Sequence, residues 1–170
     1  MTREELERIV IEFMDSFTTI NLACSQGDIP WGAGVYYARD RFDLIFFSSP
    51  ASRHSTAFSE NPKAGATIHG DYKGWKEIKG LQMEGTVERV TGIRAQARAL
   101  AIFLRRYPFA REFISDPSAL SASIAKKVSN VALYRFRPTK ILYVDNEMGF
   151  GTRWKLEIDN GKPVGDAVLG

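Results

Sequence analysis

The chain has 170 residues, 44% of them hydrophobic and 25% charged, with 23 basic and 20 acidic side chains. That is the material of one domain, residues 1–170, with a real apolar core, and it excludes intrinsic disorder and collagen-like repeats. A net charge of +3 and a pI near 9.0 admit an anionic ligand without requiring a polyanion.

Cys24 is the single cysteine, which rules out an internal disulfide and points to a reducing compartment. No run approaches the ~20 apolar residues of a membrane span. The start, MTREELERIVIEF, is charged and amphipathic rather than signal-like, so a soluble cytoplasmic protein with no membrane partner is expected.

The first residues predict a helix. Thr2 and Glu5 have capping-box spacing, and Leu6, Ile9, Val10, Phe13, Met14 and Phe17 recur every three or four residues as one apolar stripe. After Thr18 the period shortens. Residues 19–25, 34–39 and 44–48 read as strands, joined by turn chemistry at 26–30 and 40–43. Links this short permit only an antiparallel meander, because parallel strands need crossovers of a dozen or more residues.

Residues 64–69 and 81–90 continue the pattern, with Gly80 and Gly85 placed to bend or bulge it. Residues 92–106 predict a helix ended by Pro108, and Asp116-Pro117 the start of another. Residues 131–136 and 141–144 read as two strands around Arg137-Pro138-Thr139, and the Gly-rich tail from Gly161 is expected to fray. The fold class is α+β, with about six strands in a barrel-like sheet and helices at its ends.

Motif searching narrows the chemistry. No GxxxxGK[ST], GxSxG or HExxH occurs, and two histidines with one cysteine cannot build a Cys/His metal site. An enzyme of this composition would draw its chemistry from a bound cofactor, or else from Asp, Glu and Lys side chains. The informative stretch is residues 46–62, FFSSPASRHSTAFSENP. A strand ends at Ser48, Ser49-Pro50-Ala51 turns the chain, and Ser52 caps a short helix that runs to about Glu60 and stops at Asn61-Pro62.

The head of that helix gathers unpaired backbone N–H groups, several hydroxyls, the Arg53 guanidinium and the His54 imidazole. A helix N-terminus carries about half a positive charge, and charge-assisted hydrogen bonds from Arg53 contribute about 1.5–3 kcal/mol each. These are the parts of a phosphate site, although the same spacing also fits a plain capped helix with Arg53 and His54 solvated. Downstream, residues 70–85 (GDYKGWKEIKGLQMEG) are basic and aromatic. There Trp75 suits either the core or the flank of a planar ligand, and Lys76 and Lys79 could neutralise an anion.

The run IFFSSPASRHSTAFSENP followed by EIKGLQMEGTVERV resembles the pyridoxamine 5′-phosphate oxidase-like family of FMN-binding split barrels. Ser48 matches the Thr of the family's aromatic-Thr-Asn run, Ser52-Arg53 its Ser-Arg, and Asn61-Pro62 its helix end. His54 stands in place of Lys. Through Gly85, the later strand places Lys79, Gly80 and Gln82 where the family has Arg, Gln and Arg.

The resemblance implies a six-stranded antiparallel split β-barrel with flanking helices, forming a homodimer with FMN at its interface. It further implies that Ser52, Arg53 and His54 hold the FMN phosphate, helped by Ser48 and Ser49. Lys79 and Gln82 would lie near the flavin rings, with Trp75 beside them and Tyr36 and Tyr37 as weaker candidates. Haem or a deazaflavin replaces FMN in some relatives of this fold.

The departures also have consequences. His54 makes one phosphate contact depend on pH, since free imidazole titrates near 6.5. No Arg-Leu-x-Pro segment is present, which argues against pyridoxamine phosphate as the substrate.

The implied function is an FMN-dependent oxidoreductase that passes hydride or electrons from a reductant such as NAD(P)H to a small-molecule acceptor. A non-catalytic flavin carrier or redox sensor remains the alternative. Arg94, Arg98, Arg105, Arg106 and Arg111 raise the further prospect of a nucleic-acid binder. They alternate with Ala and Leu along a helix, the net charge is small and no RNP-like aromatic motif occurs, all of which argues against nucleic acid.

Overall fold

The structure is a computed structural model that describes residues 1–111 and 130–170. The helix expected at Asp116-Pro117 lies outside the described residues. Helix α1, Arg3–Ser16, begins as the sequence requires: Glu5 N donates to Thr2 Oγ1 (3.2 Å) and Thr2 N to Glu5 Oε2 (2.8 Å). This reciprocal cap satisfies two backbone donors and leaves Leu6, Val10 and Met14 fully buried on the sheet. No helix among the described residues is long and apolar enough to cross a membrane.

Among the described residues the sheet is antiparallel throughout and has eight strands: β1 Thr19–Gln26, β2 Ile29–Asp40, β3 Asp43–Ser48, β4 Lys63–His69, β5 Lys79–Arg89, β6 Ala132–Asp145, β7 Arg153–Asp159 and β8 Lys162–Leu169. The order is β3-β2-β1-β4-β5-β6-β7-β8, and β3 also pairs with β6, so the first six strands close into a ring of pairings. One edge of β6 serves two partners. Residues 132–136 bond to β3, and residues 140–144 bond to β7. The core inside the ring is led by Leu6, Ile20, Leu22, Tyr37, Phe46, Phe136 and Ile141, all essentially inaccessible to water.

Three expectations are corrected here. The strand count among the described residues is eight rather than six, because the tail does not fray. Asn160 and Gly161, both with positive φ (49° and 72°), form the two-residue turn of a β7–β8 hairpin. The break expected at Pro138 does not occur either. Pro138 lies opposite Gly85, where the register shifts between Glu84 and Gly85, and that bulge lets β6 run unbroken past a residue with no N–H to donate. Gly80 pairs in regular register with Val144 and His69 and is not a bulge.

Helix α3, Ile93–Arg106, forms as expected, and two of its arginines are engaged within the chain. Arg98 pairs with Asp40 (2.8 Å). Arg106 donates to the carbonyls of Met14, Asp15 and Phe17 and lies over the Tyr37 ring (5.1 Å), tying α3 to the end of α1.

The β2–β3 turn gives a stability prediction. Arg41 has φ +61°, a conformation that glycine adopts without strain. Its side chain makes no hydrogen bond or ion pair among the described residues, and its charge only adds to the field that lowers the Asp40 pKa. Arg41→Gly is therefore expected to stabilise the fold by about 1 kcal/mol, read as a higher urea midpoint at unchanged m-value.

Candidate functional site at the head of helix α2

Strand β3 ends at Ser48, and helix α2, Arg53–Glu60, begins five residues later. The link is a tight turn: Ser52 N donates to Ser49 O (3.0 Å), and Ala51 N to Ser49 Oγ (3.3 Å). Ser52 is the N-cap, accepting from Ser55 N (3.3 Å), and Asn61 closes the far end. The predicted helix and its boundaries are therefore present.

A compact polar cluster forms at the helix head. His54 Nε2 lies 2.6 Å from Ser48 Oγ and 3.2 Å from Ser52 Oγ. Ser52 Oγ donates to Ser55 Oγ (2.9 Å), Ser55 Oγ donates to Ser48 Oγ (3.1 Å), and the Ser48 and Ser52 oxygens are 3.0 Å apart. Each hydroxyl can donate or accept, so rotating hydrogens lets the cluster turn donors toward an anion.

Arg53 is exposed, and its Cζ lies 4.2 Å from the centroid of the Trp31 ring. Its N–H groups make no hydrogen bond or ion pair among the described residues. The guanidinium charge is also felt by the nearby Cys24 thiol, although burial is the larger influence and pushes that thiol's pKa up.

Burial lowers the His54 pKa from its ordinary 6.5. The sign follows directly: the folded state holds the imidazole neutral, so the unfolded state binds more protons once the pH falls below the ordinary value. Stability is expected to be full above about pH 6.5 and to decline as the pH falls below that through the lowered folded-state value. His54→Gln should flatten that part of a pH–melting profile.

The other expected site residues lie elsewhere. Trp75, on a 3-10 turn at Trp75–Glu77, is 54% exposed and edge-on to Phe150 (5.6 Å), so it is not a core residue. Lys79 Nζ is 2.6 Å from Glu147 Oε2 and 3.7 Å from Asp145 Oδ2, and its charge is largely neutralised within the chain. Gln82 is exposed in an outward-facing row with Thr67, Asn21 and Gly34.

Ser48 pairs with Ala132 at one end of β6, whereas Gln82 and Lys79 pair with Leu142 and Asp145 toward the other. From residue 132 to residue 142 is roughly 33 Å of strand. One chain thus brings Ser48, Ser49, Ser52, Arg53 and His54 together and holds Trp75, Lys79 and Gln82 apart from them. Tyr36 is 55% exposed, but Tyr37 is fully buried with its hydroxyl on the Met14 carbonyl, which withdraws it as a cofactor contact. Sequence reasoning missed Ser55, whose signal was its position three residues after the cap. It also missed Trp31, which fell between the turn read at 26–30 and the strand read from residue 34.

No family profile matches the chain. Its curated relatives include UPF0306 proteins, among them one from Klebsiella pneumoniae (strain 342) that is 29% identical over 139 residues, covering 81% of this chain and 83% of that one. Among solved structures, a Listeria innocua protein provisionally named a pyridoxamine 5′-phosphate oxidase aligns at TM-score 0.61 and 14% identity, over 82% of this chain and 98% of that one. HutZ, the haem storage protein of Vibrio cholerae, aligns at TM-score 0.62 and 18% identity, over 78% and 89%.

The fold is that of the pyridoxamine 5′-phosphate oxidase-like proteins. At these identities the likeness concerns the fold alone. The six-strand ring of pairings is extended here by the β7–β8 hairpin.

Proposed function

We propose that the protein is an FMN-binding flavoprotein, with the head of α2 gripping the cofactor phosphate. The observation that carries this reading is the Ser48–Ser52–His54 cluster at the N-terminus of α2, whose first residue, Arg53, is exposed and has no hydrogen bond or ion pair on its N–H groups among the described residues. Hydroxyls, a fixed positive charge and helix-head amides are the donor set that a phosphate dianion takes.

The ring-binding residues are supplied by a second copy. Lys79, Gln82 and Trp75 are too far along β6 to meet the same small cofactor within one chain, so a homodimer would bring one protomer's phosphate grip to its partner's ring-binding end. Bound FMN would supply hydride or electron transfer between a reductant such as NAD(P)H and a small-molecule acceptor, while the protein binds and orients it.

Haem is the second reading, favoured by the likeness to HutZ and by one geometric point. His69 is exposed at the end of β4, with Nδ1 3.1 Å from Gly70 O, and donation there would leave Nε2 open to a metal.

The visible spectrum of freshly purified protein tests both readings, together with the mass of what heat releases. Flavin bands and FMN are expected. A Soret band would transfer the assignment to haem, and colourless protein that takes up no added FMN would overturn the flavin reading. Bleaching by NADH or NADPH faster than that of free FMN is expected of an oxidoreductase, whereas an equal rate would make the protein a carrier.

A further inference from the structure

Several arginines of this fold are held by their N–H edges. Arg39 donates to both oxygens of Asp15, Arg98 to both oxygens of Asp40, and Arg135 to Asp43. Such pairing fixes a guanidinium by occupying the donors an anion would need. Arg53 is held differently, with its Cζ 4.2 Å over the Trp31 ring and no carboxylate on its N–H groups among the described residues. A cation over an indole is attracted through the ring face, which leaves the planar fork of donors directed outward.

Trp31 is itself well placed to act as a fixed platform. It lies near the tip of the β1–β2 hairpin in register with Cys24, whose Sγ is 3.6 Å from Trp31 O. The hairpin closes on α2 through Gln26 Nε2 donating to Glu60 Oε1 (2.7 Å) and Asn61 Nδ2 donating to Ser25 Oγ (3.4 Å). The indole is nevertheless 42% exposed, too open to serve mainly as core.

We propose that Trp31 is a positioning residue that holds the Arg53 guanidinium at the α2 head, with its donor edge available to an oxyanion. The inference rests on the phosphate-binding reading above and deepens it: Trp31 sets preference for a phosphorylated ligand over its unphosphorylated counterpart without touching either.

Titration calorimetry with FMN and riboflavin on the full chain tests this, using Trp31→Ala, Trp31→Phe, Arg53→Ala and the double variant, each checked by thermal melting. Trp31→Ala is expected to weaken FMN about three- to fivefold and leave riboflavin unchanged, with Trp31→Phe restoring most of the loss. The double variant should bind no more weakly than Arg53→Ala alone, because Trp31 acts through Arg53.

Equal losses for FMN and riboflavin, additive losses in the double variant, or no effect of Trp31→Ala would each overturn the proposal. If the wild type binds no FMN, the flavin reading fails, and inorganic pyrophosphate becomes the probe. Pyrophosphate binding that depends on Trp31 would uphold the positioning role, and its absence would overturn that as well.

Discussion

Arg53→Ala is expected to weaken FMN binding by about 1.5–3 kcal/mol, roughly 10- to 150-fold, and to leave riboflavin binding nearly unchanged. Arg53 is exposed and lies over the Trp31 ring, and its side chain makes no hydrogen bond or ion pair among the described residues, so the variant should fold normally. What it loses is the fixed charge on the first residue of α2, next in sequence to the Ser52 cap. Arg53→Lys keeps the charge but not the planar fork and should fall between wild type and Arg53→Ala. Equilibrium titration at fixed ionic strength checks the series. A riboflavin loss as large as the FMN loss would show that Arg53 holds the rings rather than the phosphate.

Gly85→Ala is expected to be the most damaging small substitution in the sheet, costing about 3 kcal/mol. A Cβ at Gly85 would sit 2.0 Å from Arg137 O and 2.8 Å from Pro138 Cα, atoms of the β6 backbone that cannot move aside without opening the β5–β6 ladder. Gly32→Ala is the control. The nearest atom to a Cβ there is Leu22 O at 3.9 Å, and the substitution should be close to neutral. Urea unfolding of the two variants measures the contrast. A mild Gly85→Ala would mean that Pro138 can be passed without the bulge.

These two positions also show how far the sequence could be read. The helix from Ser52 to Asn61 was legible because every signal in it is local: a cap, a Pro turn and an Asn-Pro stop. The same holds for Thr2 and Glu5 at α1.

Continuity of β6 through Pro138 was not legible, because it depends on a glycine fifty residues earlier across the ladder. Gly85 could be seen as a bulge but not matched to its partner. The β7–β8 hairpin was hidden by the glycines of the tail, although Asn160-Gly161 is itself hairpin-turn chemistry. Trp31 was lost for a related reason. Pro30 marked a turn, while the pairing of Ser25 with Pro30 and of Cys24 with Trp31 carries β2 almost to the hairpin tip. Tyr37 and Tyr36 differ by one residue, and strand alternation alone separates the buried ring from the exposed one.

The candidate site divides in the same way. Residues 48–54 are close in sequence and therefore close in space. Lys79 and Gln82 were joined to them only by resemblance, and within one chain they stand at the far end of β6.

The most direct measurement is a crystal structure of the protein with FMN. The account predicts phosphate oxygens within hydrogen-bond distance of the Arg53 guanidinium and the Ser52 hydroxyl, with Arg53 still resting on Trp31. A phosphate seated away from the α2 head, or a head group there bound without Arg53, would contradict it.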